Sequence, residues 1–472
     1  MHCAITCFSN VIVARLTVAP RPMTRGDRMD EMQAANYAQV GPRLDRLPVS
    51  PFHWRLLRLI AYGMFLDAFE IYLAGGVLGA LVKEGWSDLA SNANFISATF
   101  VGMVIGTWFA GVLGDRYGRR FSYQLNLLIF GMGALAAAAA PSMSWLIAAR
   151  LVMGIGLGAE IVVGYATLTE FVPPSTRGRW LSGLSVFTNS ALFISALLGY
   201  VIIPNLGWRA MFILAGLGAL IVWHMRKSMP ESPRWLESQG RHEEAEKILS
   251  GFEAEAAARG NLPPVAAVPV STKPARAITE LFSGELLGRV IAGSVLCIAV
   301  SVALYGLITW LPTFFVKQGH SVAASLGFTT LMSFGGPFGA LLGYVLADRL
   351  PRRAAITGTI VAIIVLSIGY SQAGDETLFV AAGFALVTAI YFLVALGWAL
   401  YVPELFPTDL RMRGTGVCNT AGRLATIATP YAVVPIFSSY GINGVLSLVG
   451  VVMALACVAV LVWGPEMSKK PL

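Results

Sequence analysis

Five charged side chains fall inside stretches otherwise apolar enough to cross a bilayer: Asp67, Glu70, Arg150, Glu160 and Arg423. A charge at mid-bilayer costs about 2.5–3.5 kcal/mol on insertion scales, so a chain that keeps several of them requires a reason. Asp67 and Glu70 are three residues apart and share one face of a helix. A carboxyl in a low-dielectric cavity holds its proton more tightly, and a neighbouring arginine reverses that. Such a group can take H⁺ while facing one compartment and release it while facing the other. Arg150 does not deprotonate and is the expected counter-charge. Either Asp67 or Glu70 can carry the proton on this reading; the alternative is a static ion pair that packs two helices. Glu160 lies ten residues beyond Arg150, about 15 Å along a helix and on a different face, which suits a clamp between helices or a second proton stop.

Arg423 sits in Asn419-Thr-Ala-Gly-Arg423, and the predicted cores of the second six apolar segments hold no acidic residue. Its expected counter-ion is therefore a substrate carboxylate, which a planar guanidinium grips in bidentate fashion. Asn419 is one turn away, and Tyr305, Trp310, Tyr391 and Trp398 supply aromatic walls for an aromatic or heteroaromatic acid. Bonding of Arg423 to backbone carbonyls is the alternative.

The elements that must position these groups follow from composition. The chain has 472 residues, 56% hydrophobic and 13% charged, against roughly 25% charged in soluble proteins, and its mean hydropathy is +0.68. That excludes a soluble multidomain enzyme, a disordered scaffold and a disulfide-stapled module. A spanning helix needs about 20 apolar residues, and twelve segments qualify, at about 58–82, 95–114, 121–140, 144–169, 181–203, 209–225, 288–316, 325–347, 354–372, 377–402, 413–437 and 441–463. The expected fold is an all-α membrane protein. With the N-terminus inside, arginines and lysines crowd the inside loops, and only Lys83, Arg209 and Lys317 fall outside. This obeys the positive-inside rule. It places both termini in the cytoplasm of a cell (inner) membrane protein and accounts for the net charge of +8 without nucleic acid. Cys297, Cys418 and Cys457 read as small buried hydrophobes, and five scattered histidines offer no metal spacing. No nucleophile–base set appears, so neither an enzyme nor a cofactor is expected.

The chain repeats itself. Gly111-Val-Leu-Gly-Asp115-Arg116-Tyr-Gly118-Arg119-Arg120 has a partner in Gly343-Tyr-Val-Leu-Ala-Asp348-Arg349-Leu-Pro-Arg352-Arg353. Glu170-Phe-Val-Pro173 has a partner in Glu404-Leu-Phe-Pro407. The step from Asp115 to Asp348 and the step from Glu170 to Glu404 differ by a single position. Two pairs at nearly one offset indicate two homologous six-helix halves related by a pseudo-twofold axis. The expected organisation is a cytoplasmic segment 1–54, bundles 55–225 and 288–464, a linker 226–287 and a tail 465–472. Residues 1–22 read as an over-called start, with Met23, Met29 or Met32 beginning the protein. In the linker, Ser232-Pro233 caps a helix running to about Arg259, followed by a proline-rich connector, and the whole reads as a solvated connector.

From about Arg43 to Pro465 these features resemble the major facilitator superfamily: the Asp-Arg-x-Gly-Arg-Arg loop between spans two and three, the two halves and the long middle loop. The second loop copy has Pro351 where the motif has Gly. Pro230-Glu231-Ser232-Pro233-Arg234-Trp235-Leu236 resembles the sugar-porter signature, and Gly464-Pro465-Glu466 that group's closing motif. Arg150-x3-Gly154-x-Gly156-x-Gly158-x-Glu160 is similar to the niacin-permease and synaptic-vesicle-glycoprotein branch, and Asp67-Ala-Phe-Glu70 to a motif of aromatic-acid:proton symporters. The resemblance implies a proton-coupled importer in which Glu70 falls on the sugar-porter carboxylate and Arg150 on its span-four partner. Sugar porters carry glutamines in span seven, and Ala303-Leu-Tyr305-Gly-Leu-Ile-Thr309-Trp310 has none. The loops are expected to form a cytoplasmic gate from Asp115, Arg116, Gly118, Arg119, Asp348, Arg349 and Arg352. Asp115 would meet a neighbouring helix N-terminus or an arginine, and Glu170, Arg179, Glu231, Arg234, Glu404 and Arg413 would add ion pairs between the halves when the outside is open. The expected activity is proton symport of a small organic anion by a monomer in the lipid bilayer. The alternatives are a sugar or polyol symporter, a proton-driven drug exporter, or a solute sensor that transports nothing.

Overall fold

Apolar stretches with no water to satisfy their backbone fold as helices, which bond every interior N–H and C=O internally. The computed structural model describes residues 40–173, 176–258, 260, 262–265, 277–346, 349–407 and 410–467. Asp348, the Asp115 side chain and the leader with its alternative starts lie outside the described residues. Span one is Pro51–Lys83, span two Leu89–Tyr117, span three Arg119–Ala138 and span four Met143–Phe171. Span five runs Arg177–Asn189 and Ala191–Leu206, and span six is Arg209–Met225. In the second half span seven covers Gly284–Lys317, span eight Val322–Leu346, span nine Arg352–Ser371 and span ten Glu376–Glu404. Arg411–Trp463 is one 53-residue helical run, broken at Gly441 (φ 62°), and so holds spans eleven and twelve. Serine and aspartate side chains start several spans: Asp88 accepts from the Ser91 amide at 2.7 Å, and Asp375 from that of Leu378 at 2.6 Å.

Glycines set the tightest packing. Gly102 and Gly106 of span two lie against Leu151, Gly154 and Ile155 of span four, where an added methyl would meet backbone. Small residues let helices approach this closely. Leu206, Trp108, Ile221 and Val462 are exposed on the outer faces of the spans, where lipid replaces water as solvent.

The halves meet in their parts nearer Lys83 and Lys317. The Ser97 hydroxyl donates to the Ile427 carbonyl at 2.8 Å and that of Tyr431 to Asn94 at 3.0 Å. Gly75 lies against the Thr309 carbonyl and Gly79 against Pro312. At the arginine-rich end, no hydrogen bond or ion pair between described residues joins spans of the two halves. Deeper in, spans five and eight also meet, with Gly336 lying against Leu192 and the Asn189 carbonyl.

The linker departs from the expected single helix. It forms Pro233–Ser238 and His242–Ala257, separated by a turn in which Gly240 has φ 74°. It is also not a solvated connector. Phe252 stacks on Phe52 at 3.7 Å beside Phe171, and Leu249 is fully buried. The N-terminal helix Val40–Asp45 joins this cluster. Arg43 bonds Glu246 and Glu253, Arg46 bonds Glu253, and Arg55 bonds Glu255. The Arg43 guanidinium holds Glu253 below the usual glutamate range, and Glu253 and Glu246 raise Arg43 in return.

Candidate functional site

Gly63, Asp67 and Glu70 follow one another at intervals of four and three residues, so they line one face of span one. Each meets something different. Glu70 is fully buried and pairs with Arg150. The Arg150 guanidinium also donates to the Thr99 hydroxyl at 3.0 Å and lies 4.5 Å from the Phe95 ring centroid. At the Gly63 level lies a second buried pair, Glu160 with Arg226 at 2.5 Å. Arg226 donates to the carbonyls of Leu59 (2.9 Å) and Ile60 (3.2 Å) and covers the Tyr123 ring. Only a glycine at 63 leaves room for this pair. Asp67 stands between the two pairs, 1% exposed, and neither carboxyl oxygen has a hydrogen-bond partner. It lies within electrostatic reach of Glu160, Arg226 and Glu70. Arg150 therefore serves Glu70 and not Asp67, and Glu160 joins span four to the end of span six and to span one.

Across the interface, Arg423 is half-buried and makes neither a hydrogen bond nor an ion pair with a described residue. Its guanidinium lies within electrostatic reach of the Tyr305 hydroxyl. The Tyr305 ring meets Phe100 of the other half edge-on at 4.5 Å. The Tyr391 hydroxyl donates to that of Tyr72 at 2.5 Å, again across the halves. Trp398 donates its indole N–H to Asn419, one turn from Arg423. Arg423, Asn419, Tyr305, Tyr391 and Trp398 thus cluster where the halves face one another. Trp310 does not join them. After the wide turn Ala303–Leu307, the tight turn Ile308–Trp310 carries its side chain into the core of the second half. There it stacks with Phe314, which stacks on Phe437 at 4.2 Å.

In this conformation, where the halves are bonded near Lys83 and Lys317, the gate residues pair within each half. Arg119 meets Glu170 at 3.4 Å, and Arg352 meets Glu404 at 3.2 Å. Glu231 caps the start of span three, accepting from the Arg119 amide at 2.8 Å and the Arg120 amide at 3.2 Å. This is the anion position at a helix N-terminus expected of Asp115. Glu466 does the same for span nine, accepting from the Arg353 amide at 3.2 Å. Each half therefore holds its own arginine and two carboxylates, placed at equivalent positions of the repeat. Burial raises Glu231, and the Ser232, Arg120 and Arg119 amides pull it back. Gly118, φ 96°, lies directly against the Glu231 carboxylate. Arg234 bonds Asp45 at 2.7 Å and the Glu170 carbonyl at 3.2 Å, all on the first half's side. Arg116, Arg179, Arg349 and Arg413 have exposed side chains at the arginine-rich end.

Sequence reasoning missed Arg226, Tyr72 and Glu466 as members of these clusters. Arg226 lies one residue past the end of span six and read as a linker charge; the buried Glu160, needing a partner, was the available signal. Glu466 follows Glu231 by almost the same step that separates Glu404 from Glu170, so the repeat itself pointed to it. No group of three or more His, Cys, Asp or Glu residues able to hold a metal occurs among the described residues.

Residues 60–430 match the model of the Major Facilitator Superfamily. The chain is 38% identical over 442 residues to "Inner membrane metabolite transport protein YdjE" of Escherichia coli (strain K12), covering 92% of this chain and 97% of that one. It is 30% identical over 432 residues to "Niacin transporter NiaP" of Acinetobacter baylyi (strain ATCC 33305 / BD413 / ADP1), covering 91% and 98%. Its fold is similar to that of a D-xylose-proton symporter, with TM-score 0.70 and 17% identity over 89% of this chain and 99% of that one.

Proposed function

The chain belongs to the Major Facilitator Superfamily, a transporter family rather than an enzyme one, and on that premise we propose that it takes up a small organic anion together with protons. The observation that carries the anion is Arg423: a guanidinium in the gap between the halves, without a partner among the described residues and beside the Tyr305 hydroxyl. A carboxylate completes it in bidentate geometry. Tyr305 and Trp398 flank the position and suit a flat ring. Niacin, named in one relative at 30% identity, is a pyridine carboxylate and fits this chemistry.

Proton coupling rests on the buried carboxylates Asp67 and Glu70 and on Arg150, which answers one of them. With the arginine-rich end in the cytoplasm, the Ser97–Ile427 and Tyr431–Asn94 bonds between the halves lie toward the outside. The intra-half clusters of Arg119, Glu170 and Glu231 and of Arg352, Glu404 and Glu466 then form the part of the gate that persists when the cytoplasmic side is open. Alternating access follows from two packings of the same halves.

The test is external pH in a lightly buffered suspension of energy-depleted cells expressing the protein. Nicotinic and benzoic acids, then pooled aliphatic acids, then pooled sugars are added, each against empty-vector cells. Alkalinisation with the acids alone supports the proposal. Alkalinisation with sugars alone replaces it by sugar symport and makes Arg423 a structural residue.

A further inference from the structure

Among the described residues, the interior of the first half holds three carboxylates, Glu160, Asp67 and Glu70, against two guanidiniums, Arg226 and Arg150, all 1% exposed or less. They form a ladder along span one that covers about 10 Å from the Gly63 level to Glu70 at 1.5 Å per residue. Glu70 and Glu160 each own a cation. Asp67 has none, and neither of its oxygens has a hydrogen-bond partner. Fully ionised, the ladder carries one uncompensated negative charge away from water, which is the expensive arrangement. One proton makes it neutral. Placed on Glu70 or Glu160, that proton breaks an ion pair and strands an arginine; placed on Asp67, it breaks nothing. Among the described residues Tyr123 also lies close, its ring 4.6 Å from the Arg226 guanidinium.

We propose that Asp67, lodged between the Glu70–Arg150 and Glu160–Arg226 pairs, is the group that holds the proton, one per cycle, and that Arg226 is the positioning residue that keeps Glu160 ionised. This rests on the reading of the chain as a proton-coupled carrier and narrows it: Glu70–Arg150 is the fixed neighbour, not the carrier.

The experiment is an infrared pH titration of the purified full-length protein in lipid nanodiscs, without substrate, following the carbonyl stretch of protonated carboxylic acids. The wild type should show one buried band that vanishes as pH rises. Asp67→Glu should move its frequency and keep its amplitude, and Glu70→Asp should leave it in place. Arg226→Gln should roughly double the amplitude, because Glu160 then needs a proton too, and Arg226→Lys should restore the single band. Removing both members of the pair, in Glu160→Gln with Arg226→Gln, should keep the band, because one carboxylate is still in excess. A band whose frequency follows Glu70→Asp, or an amplitude that Arg226→Gln leaves unchanged, overturns the assignment. Transport is not read here. A protein that moves no acid while its band follows Asp67 sinks the symport proposal and leaves this assignment standing.

Discussion

Replacing Arg423 by glutamine removes a charge that the protein itself does not use. Arg423 bonds no described residue, so the folded chain should lose almost nothing. What is lost is the bond to the solute. A hydrogen bond to a charged partner contributes about 1.5–3 kcal/mol, and each 1.4 kcal/mol is tenfold in affinity. The apparent affinity for nicotinate should therefore fall roughly 10- to 150-fold. Nicotinamide, the same ring without the charge, gives the control: its weak binding should change less than about twofold. Arg423→Lys keeps the charge but not the planar fork and should fall between. The assay is competition by acid and amide for uptake into proteoliposomes, with thermal unfolding of each variant alongside. Equal loss for acid and amide, or a large fall in Tm for Arg423→Gln, refutes the reasoning and makes Arg423 a structural residue bonded to the protein in some other conformation.

Other perturbations have equally definite outcomes. Asp67→Asn removes the proton site and should abolish uphill uptake while sparing exchange of labelled for unlabelled solute; normal accumulation would place coupling elsewhere. Tyr391→Phe removes the bond to Tyr72 across the halves. At about 0.5–1.5 kcal/mol it should shift the population roughly 2- to 10-fold away from the conformation described. A cysteine at the buried Ser97, in a background free of other cysteines, should then react correspondingly faster with a membrane-impermeant thiol reagent. Gly118→Ala puts a Cβ against Glu231 at a φ of 96° and should lower stability by about 1–2 kcal/mol, read as a fall in Tm. Glu253 has a lowered pKa chiefly because of Arg43. Its contribution to docking the N-terminal helix is thus present above the ordinary glutamate pKa of about 4.3 and is lost as pH falls through its lowered value. Arg43→Gln should flatten that acid limb in proteolysis of the Val40–Asp45 segment.

What the sequence made legible was what the bilayer and the repeat enforce. Twelve spans follow from length and apolarity. Glu70 and Arg150 could be paired because opposite charges buried in lipid have few other choices. Arg423 stood out because its half offers no acid. The rest depends on rotation and depth, which spacing does not specify. Trp310 is close to Tyr305 by number, yet two irregular turns in span seven send the two side chains to different places. The gate residues were identifiable by type, but their partners were not. Glu170 and Glu404 each meet an arginine of their own half, Arg119 and Arg352, which spacing alone did not name. The linker helix read as solvated because its charges are plentiful, although Leu249 and Phe252 on its other face were enough to dock it.

The halves have divided their work by charge. By the offset of the repeat, Glu70 falls on Ala303 or Leu304 in the second half, and Arg423 falls on Asn189 or Ser190 in the first. The repeat has thus kept an excess acid on one side of the interface and an excess base on the other. Under the proposed reading the empty carrier holds one net negative charge in the Asp67 ladder and one positive charge at Arg423. These cancel over the interior as a whole. A proton on Asp67 together with a monoanion on Arg423 also sums to zero. A proton alone leaves the interior at plus one, and an anion alone leaves it at minus one. A net charge crossing a low-dielectric region raises the barrier by several kcal/mol. The doubly loaded and doubly empty forms therefore rearrange far faster than either singly loaded form, which is the kinetic condition for obligate symport. It follows that transport of a monocarboxylate should be electroneutral. In proteoliposomes an imposed membrane potential without a pH gradient should drive no accumulation of nicotinate, whereas a pH gradient should. Accumulation driven by potential alone means that more than one proton moves per anion, and the single excess carboxylate can no longer account for the coupling.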